Sequence, residues 1–223
     1  MASFYIGLSL MSNSIQKAVS GRALSAEARR VLALLAGRPL GDSGIAFEEN
    51  GRPYFPDRRE DFSISHSGNM AAVSLVNGRR PRTGCDVQLV KPRTNIREIA
   101  GKFFHPSEAD YVFAREESQT ERTRFFHIWT LKESYLKLKG LSVLDMEKAP
   151  SFIEDNAFCC KLPFSFSLYE LAGAGETYVL AAAVEEIIDR PLIRWYSQSF
   201  LTVSSIAEIN AAVSPPVTVS PNM

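Results

Sequence analysis

The stretch Phe125-Phe126-His127-Ile128-Trp129-Thr130-Leu131-Lys132-Glu133-Ser134-Tyr135-Leu136-Lys137-Leu138-Lys139-Gly140 reads as one helix, closed by a glycine suited to a left-handed C-cap. At about 100° per residue, Ile128, Leu131, Tyr135 and Leu138 share one face, which is expected to be buried. Phe126, Trp129, Glu133 and Lys137 fall on the opposite face, with Glu133 and Lys137 about 40° apart around the axis. Two readings of that pair stay open from the helix alone. One is a solvated i,i+4 ion pair worth a few tenths of a kcal/mol. The other is a metal-binding or proton-accepting carboxylate with a phosphate-holding lysine one turn on.

Strands surround this helix in the sequence. Upstream, Phe4 to Leu10 reads as a strand and Ser25 to Ala36 as a helix capped by Ser25 and ended by Gly37. Ile45 to Glu48 is a short strand before an Asn50-Gly51 turn. Phe62-Ser63-Ile64-Ser65, Met70 to Val76 and Thr83 to Val90 are further strands. In the last of these, alternation puts Cys85, Val87 and Leu89 on one face and Asp86 beside Gln88 on the other. Ile96 to Phe104 and Pro106 to Glu116 read as helices, the second opened by proline. Downstream, Phe152-Ile153, Phe158 to Lys161, Phe164 to Leu171 and Thr177 to Val184 look strand-like, with one more strand over Trp195 to Val203. Phe164-Ser165-Phe166-Ser167 followed by Tyr178 to Val184 echoes Phe62 to Ser65 followed by Ala71 to Val76. The pattern is α/β (α+β).

Length and charge narrow the classes. The 223 residues are long for one ordinary domain and short for two. No apolar run reaches the roughly 20 residues a membrane helix needs, and the N-terminus lacks signal-peptide character, so a cytoplasmic protein is expected. Cys85, Cys159 and Cys160 are too few for a disulfide framework and have no zinc-ligand spacing, so they are expected as reduced, packed thiols. Zero formal net charge argues against a general nucleic-acid binder. The charge is uneven, however: Arg79 to Lys102 holds seven basic and two acidic residues, whereas Leu141 to the end holds four basic and ten acidic. A local basic stripe suits a phosphate-rich ligand or an acidic protein partner as well as it suits a solvated loop.

Asp86 and Glu133 together offer two carboxylates, with the neutral oxygen of Gln88 beside the first. Few hard oxygen donors next to basic residues are what Mg²⁺ on a diphosphate uses. His66, Arg52 and Arg22 could each hold a phosphate, although a lone loop histidine such as His66 more often caps or turns the chain. His105 and His127 read as structural.

Five blocks in order resemble the Sfp-type 4′-phosphopantetheinyl transferases. Asn50-Gly51-Arg52-Pro53 is similar to the family's Gly-Lys-Pro turn, and Phe62 to Gly68 to its Asn-Ile-Ser-His-Ser segment. Gly84-Cys85-Asp86-Val87-Gln88 stands where the family has Gly-Ile-Asp-Ile-Glu, and Phe103 to Glu108 resembles Phe-Phe-x-x-x-Glu. Trp129 to Lys137 matches Trp-x-x-Lys-Glu-Ser/Ala-x-x-Lys. The resemblance implies transfer of the phosphopantetheine arm of coenzyme A to a serine of an apo acyl or peptidyl carrier protein, releasing adenosine 3′,5′-bisphosphate. It also implies two similar halves forming a pseudo-dimer, roughly 1–83 on the coenzyme A side and 84–212 with the metal and catalytic helix. The active site would lie in the cleft between them, and 213–223 would be a disordered tail.

On that resemblance Asp86 and Glu133 bind Mg²⁺ (or Mn²⁺) with Gln88, Glu133 deprotonates the serine, and Lys137 neutralises phosphate charge. Arg22, Arg52, Ser65 and His66 hold the adenosine 3′-phosphate and nearby groups, and Glu108 falls near the metal. Two departures stand out: Gln88 replaces an acidic residue, and the segment ahead of Arg22 is short, leaving Lys17 to replace missing basic groups. Gln88 also motivates the rival reading, a coenzyme A- or carrier-binding homologue without catalysis. A metal-dependent phosphohydrolase fits less well, since no dense carboxylate or histidine cluster is present. An acidic carrier and a monomer are the expected partner and state.

Overall fold

Two four-stranded sheets stack face to face, and each carries one long helix on its outer side. A computed structural model describes residues 3–11, 19–41, 44–77, 81–92, 95–114, 120–173, 175–186, 190–197 and 202–210. The expected tail, Lys17, and the basic residues Arg79, Arg80 and Arg93 lie outside the described residues. In chain order the elements are β1 (Ser3–Leu10), α1 (Gly21–Ala36), β2 (Ala46–Phe47), β3 (Pro53–Tyr54), β4 (Glu60–Ser67), β5 (Met70–Asn77) and β6 (Thr83–Leu89). Then come α2 (Ile96–Phe103), α3 (Pro106–Phe113), α4 (Glu121–Lys139), a 3₁₀ turn (Val143–Lys148), β7 (Ile153–Glu154) and β8 (Ala157–Phe158). The chain continues through β9 (Ser165–Gly173), β10 (Glu176–Val184), β11 (Leu192–Trp195) and β12 (Thr202–Asn210).

The sheets are ordered β11-β1-β5-β4 and β12-β9-β10-β6. Each contains the same unit: a strand, a long helix on its way to a hairpin, and spatial order first, third, second (β1-β5-β4 and β6-β10-β9), all antiparallel. The hairpins are the two stretches whose sequences echo one another. β11, parallel to β1, and β12, antiparallel to β9, are added at different places, and they replace the single strand expected over 195–203. Alternation on β5 sends Ala71, Val73 and Leu75 toward α1 and Met70, Ala72 and Val76 toward the second sheet. β10 is apolar on both faces because α4 covers one and the first sheet the other.

Glycine sets the closeness of helix to sheet in both units. A Cβ on Gly7 of β1 would lie 2.6 Å from Val31 of α1, and one on Gly84 of β6 only 2.0 Å from the Ser134 carbonyl of α4. The first long helix begins at Gly21 under a Ser20 cap, four residues before the expected Ser25, and ends at Gly37 in the left-handed conformation. α4 begins at a Thr120 cap and ends at Gly140 as expected. Its surroundings correct the two-faced expectation. Phe126 is buried, and Trp129 packs on Phe103 and Phe125, because α2 and α3 cover the side opposite the sheet. No helix among the described residues is long and apolar enough to cross a membrane.

Candidate functional site

β4 and β6 are the free edges of their sheets, and they meet each other without a backbone ladder. Serines on alternate positions of β4 bridge the seam instead. Ser65 Oγ accepts from Val87 N (3.2 Å), Ser67 Oγ accepts from Leu89 N (3.0 Å), and Cys85 Sγ donates to Ser63 O (3.3 Å). Unmet, each buried N–H would cost about 1–3 kcal/mol. The arrangement fixes the register of β6 against β4 and so places Asp86.

Asp86 is 2% exposed, and its carboxylate is surrounded by donors. Oδ1 accepts from Ser65 Oγ and from Lys137 Nζ, each at 2.7 Å, and Oδ2 accepts from Gln88 Nε2 at 3.0 Å. Glu133 stands one turn before Lys137 on α4, and its pKa is pushed up to about 7 by burial and by the Asp86 charge, against the pull of Lys137. Burial is the largest single influence and works to lower the Lys137 pKa, but Asp86, by charge and hydrogen bond, together with Cys85 and Glu133 makes the net shift upward. The solvated Glu133–Lys137 pair is therefore not what forms: Lys137 bridges to β6.

These groups line a cleft of about 430 Å³ at the seam. α1 contributes Ser25 and Arg29, the β2–β3 region Ile45, Phe47 and Pro53, β4 Ile64, Ser65 and His66, β6 Asp86 and Gln88, and α4 Glu133 and Lys137. His66 is exposed, with Nε2 3.4 Å from Ser25 Oγ. Sequence reasoning gives Ser25 only a capping role and names neither Ser25 nor Arg29 for the site. Their signal is a stripe with Arg22 at i, i+3 and i+7 on α1, flanking the buried face of Leu24, Ala28, Val31 and Leu32. Exposed Phe47 was missed as well.

Other expected residues lie elsewhere. Arg22 is exposed on α1 and does not line the cleft. Arg52 is 7% exposed and turned inward, forked onto Asp61. Glu108 is fully buried away from the cleft: it pairs with Lys132 at 3.0 Å and accepts from the backbone N–H groups of His105 and Phe152. That carboxylate stabilises a helix start, so a place near the metal is corrected. His127 is buried between Tyr111 and Glu170, and His105 caps α3. Cys85 and Cys160 are buried and free, while Cys159 is half-buried.

Among the described residues no three His, Cys, Asp or Glu side chains cluster as a metal site. Two carboxylates close enough for one to raise the pKa of the other still suit a divalent cation with few protein donors, although the Gln88 amide turns its nitrogen to Asp86 and its oxygen to Ser67 Oγ at 3.5 Å. Chemically the cleft joins a carboxyl titrating near neutrality, an ammonium, a guanidinium, an imidazole and an apolar wall.

Residues 82–182 match the family model described as the 4′-phosphopantetheinyl transferase superfamily. That span holds Asp86, Gln88, Glu133 and Lys137. The chain is 31% identical over 124 residues to the 4′-phosphopantetheinyl transferase HetI of Nostoc sp., covering 54% of this chain and 51% of that protein. It is 37% identical over 109 residues to a 4′-phosphopantetheinyl transferase of Bacillus subtilis (47% and 46%), and 32% over 133 residues to Sfp of strain 168 (57% and 57%). The chain thus spans about half the length of the curated relatives it matches.

Proposed function

We propose that the chain, whose residues 82–182 match the model of the 4′-phosphopantetheinyl transferase superfamily, moves the 4′-phosphopantetheine arm of coenzyme A onto a serine of an apo carrier protein. Adenosine 3′,5′-bisphosphate is the leaving group. The observation that carries this reading is Glu133, a carboxyl raised to about 7 in a cleft that also brings together the Asp86 carboxylate, the Lys137 ammonium, Arg29, His66 and an apolar wall. A base with that pKa is half ionised at neutral pH and can take the serine proton as the hydroxyl oxygen bonds to phosphorus and the diphosphate bridge breaks.

Lys137 offsets anionic charge beside the reacting phosphoryl group, and Arg29 and His66 suit the remaining phosphates. Phe47, Ile45 and Pro53 offer apolar surface to the rest of the ligand, and the cleft volume is in the range of a small-molecule site. Held by Asp86, Glu133 and the Gln88 oxygen, Mg²⁺ would supply Lewis-acid neutralisation at the diphosphate. Exposed Lys91, Arg97 and Lys102 favour an acidic carrier.

Intact-mass measurement of an apo carrier protein incubated with the chain, coenzyme A and Mg²⁺ tests the reading. A phosphopantetheine mass gain that disappears with Glu133→Ala supports it. The amide of Gln88, turned with its nitrogen toward Asp86, favours the second reading of a non-catalytic binder. Coenzyme A binding with no mass gain on several carriers, with either Mg²⁺ or Mn²⁺, would decide for that one.

A further inference from the structure

Arg52 lies close to the cleft yet gives its guanidinium to the protein. Nη1 donates to Asp61 Oδ1 at 2.9 Å, and Nη2 donates to Asp61 Oδ2 at 2.5 Å and to Thr83 O at 3.0 Å. Nε donates to Lys137 O at 3.2 Å, on the last turn of α4. Asp61 Oδ2 also accepts from Thr83 N at 2.7 Å. One forked pair therefore ties three elements together: β4 through Asp61, the start of β6 through both backbone groups of Thr83, and the end of α4 through Lys137.

The same loop closes the helix. Asn50 Nδ2 donates to Gly140 O at 2.8 Å, while Asn50 Oδ1 accepts from Arg52 N at 3.0 Å. A Cβ on Gly140 would lie 2.5 Å from Asn50 Nδ2, so the glycine that ends α4 also makes room for the loop that grips it. A cation at a helix C-terminus is favoured by the carbonyls gathered there. Thr83 precedes Asp86 by three residues on β6, and Lys137 is held at its carbonyl by Arg52 and at its ammonium by Asp86.

We infer that Arg52 and Asp61 form a latch that sets Lys137 and Asp86 against each other, and that Arg52 serves the proposed transfer as a positioning residue, not as a phosphate ligand. The inference rests on the transferase reading. Its chemistry is specific: the planar fork of arginine engages both carboxylate oxygens while its Nε reaches the helix, which a lysine ammonium cannot do at once. Turning Arg52 out to a phosphate would strip the part-buried Asp61 carboxylate of its cation, leaving it the Thr83 N–H, and would take the guanidinium from the carbonyls of Thr83 and Lys137.

The test compares wild type, Arg52→Lys and Asp61→Asn in the full chain. Three quantities are measured: calorimetric affinity for coenzyme A and for 3′-dephospho-coenzyme A, kcat for carrier modification, and amide exchange at Thr83, Gly140 and Leu141. With a latch, both variants keep affinity and phosphate preference within about threefold of wild type, lose about tenfold or more in kcat, and exchange faster at those amides. Arg52→Lys that loses the preference for coenzyme A while Asp61→Asn keeps wild-type kcat would make Arg52 a ligand and overturn the inference. Unchanged exchange in both variants would overturn it too. A wild-type chain that neither binds coenzyme A nor modifies a carrier would fail the transferase reading, and the exchange comparison would still decide whether the latch exists.

Discussion

Lys137 Nζ lies 2.7 Å from Asp86 Oδ1, an ion pair that joins α4 to β6 across the seam of the two sheets. The ammonium of the pair lowers the Glu133 pKa against the raising effect of Asp86. Replacing the lysine, as in Lys137→Met, leaves one carboxylate facing another without a cation. Glu133 is then expected to titrate above the value of about 7 it has in the intact site, read by carboxyl NMR in chelator-treated buffer. Loss of a charged hydrogen bond should also cost about 2 kcal/mol in a urea titration. An unmoved Glu133 midpoint would show that the ammonium does not act on it.

Glu133 also makes stability depend on pH. Its pKa is about 7 in the folded chain against 4.5 as the ordinary value, so between those limits the unfolded chain gives up the proton and the folded chain keeps it. Stability from this group is therefore full below pH 4.5, falls as pH rises, and is lost above pH 7, by about 3 kcal/mol in all. Without added metal, Glu133→Gln should match wild type near the acid end and exceed it near pH 8. Parallel urea midpoints at both ends would remove this account.

The legible parts of the sequence were those carried by local rules. Gly140 marks the end of α4, alternation sets Asp86 beside Gln88, and the echo between residues 62–76 and 164–184 corresponds to equivalent hairpins in the two sheets. Buried charge hid the rest. Lys132 and Arg124 are fully packed, one against Glu108 and the other against the carbonyls of Val112 and Ala114, so a helix covered on all sides carries charges that read as a solvated face. Arg52 reads as a phosphate ligand for the same reason. What turns it inward is Asp61 and Thr83, whose approach depends on β4 and β6 meeting edge to edge. Ser25 and Arg29 belong to a helix whose start was misplaced, so their stripe did not point anywhere.

Gln88→Glu places a third carboxylate next to Asp86 and Glu133. In chelator-treated buffer at pH 8 that substitution removes the amide donor to Asp86 and adds repulsion, so the melting temperature should fall. Added Mg²⁺ should raise it more than it raises the wild type, and transfer at low Mg²⁺ should be kept or improved. A Mg²⁺ response equal to wild type would place Gln88 outside the metal site.

Gly84 and Gly101 should respond in opposite directions to the same change. A methyl at Gly84 would meet the Ser134 carbonyl at 2.0 Å and the Leu138 amide at 2.5 Å, both backbone atoms of α4. Neither can yield unless the helix moves off β6, which would part Lys137 and Glu133 from Asp86. Gly84→Ala is expected to cost about 3 kcal/mol or more, with transfer activity lost in whatever remains folded. Gly101 lies exposed inside α2 with nothing within 4 Å of its missing Cβ, so Gly101→Ala should add about 0.5–1 kcal/mol. Urea unfolding of the two variants checks both signs at once, and a tolerated Gly84→Ala would mean that α4 is not seated on β6 as closely as described.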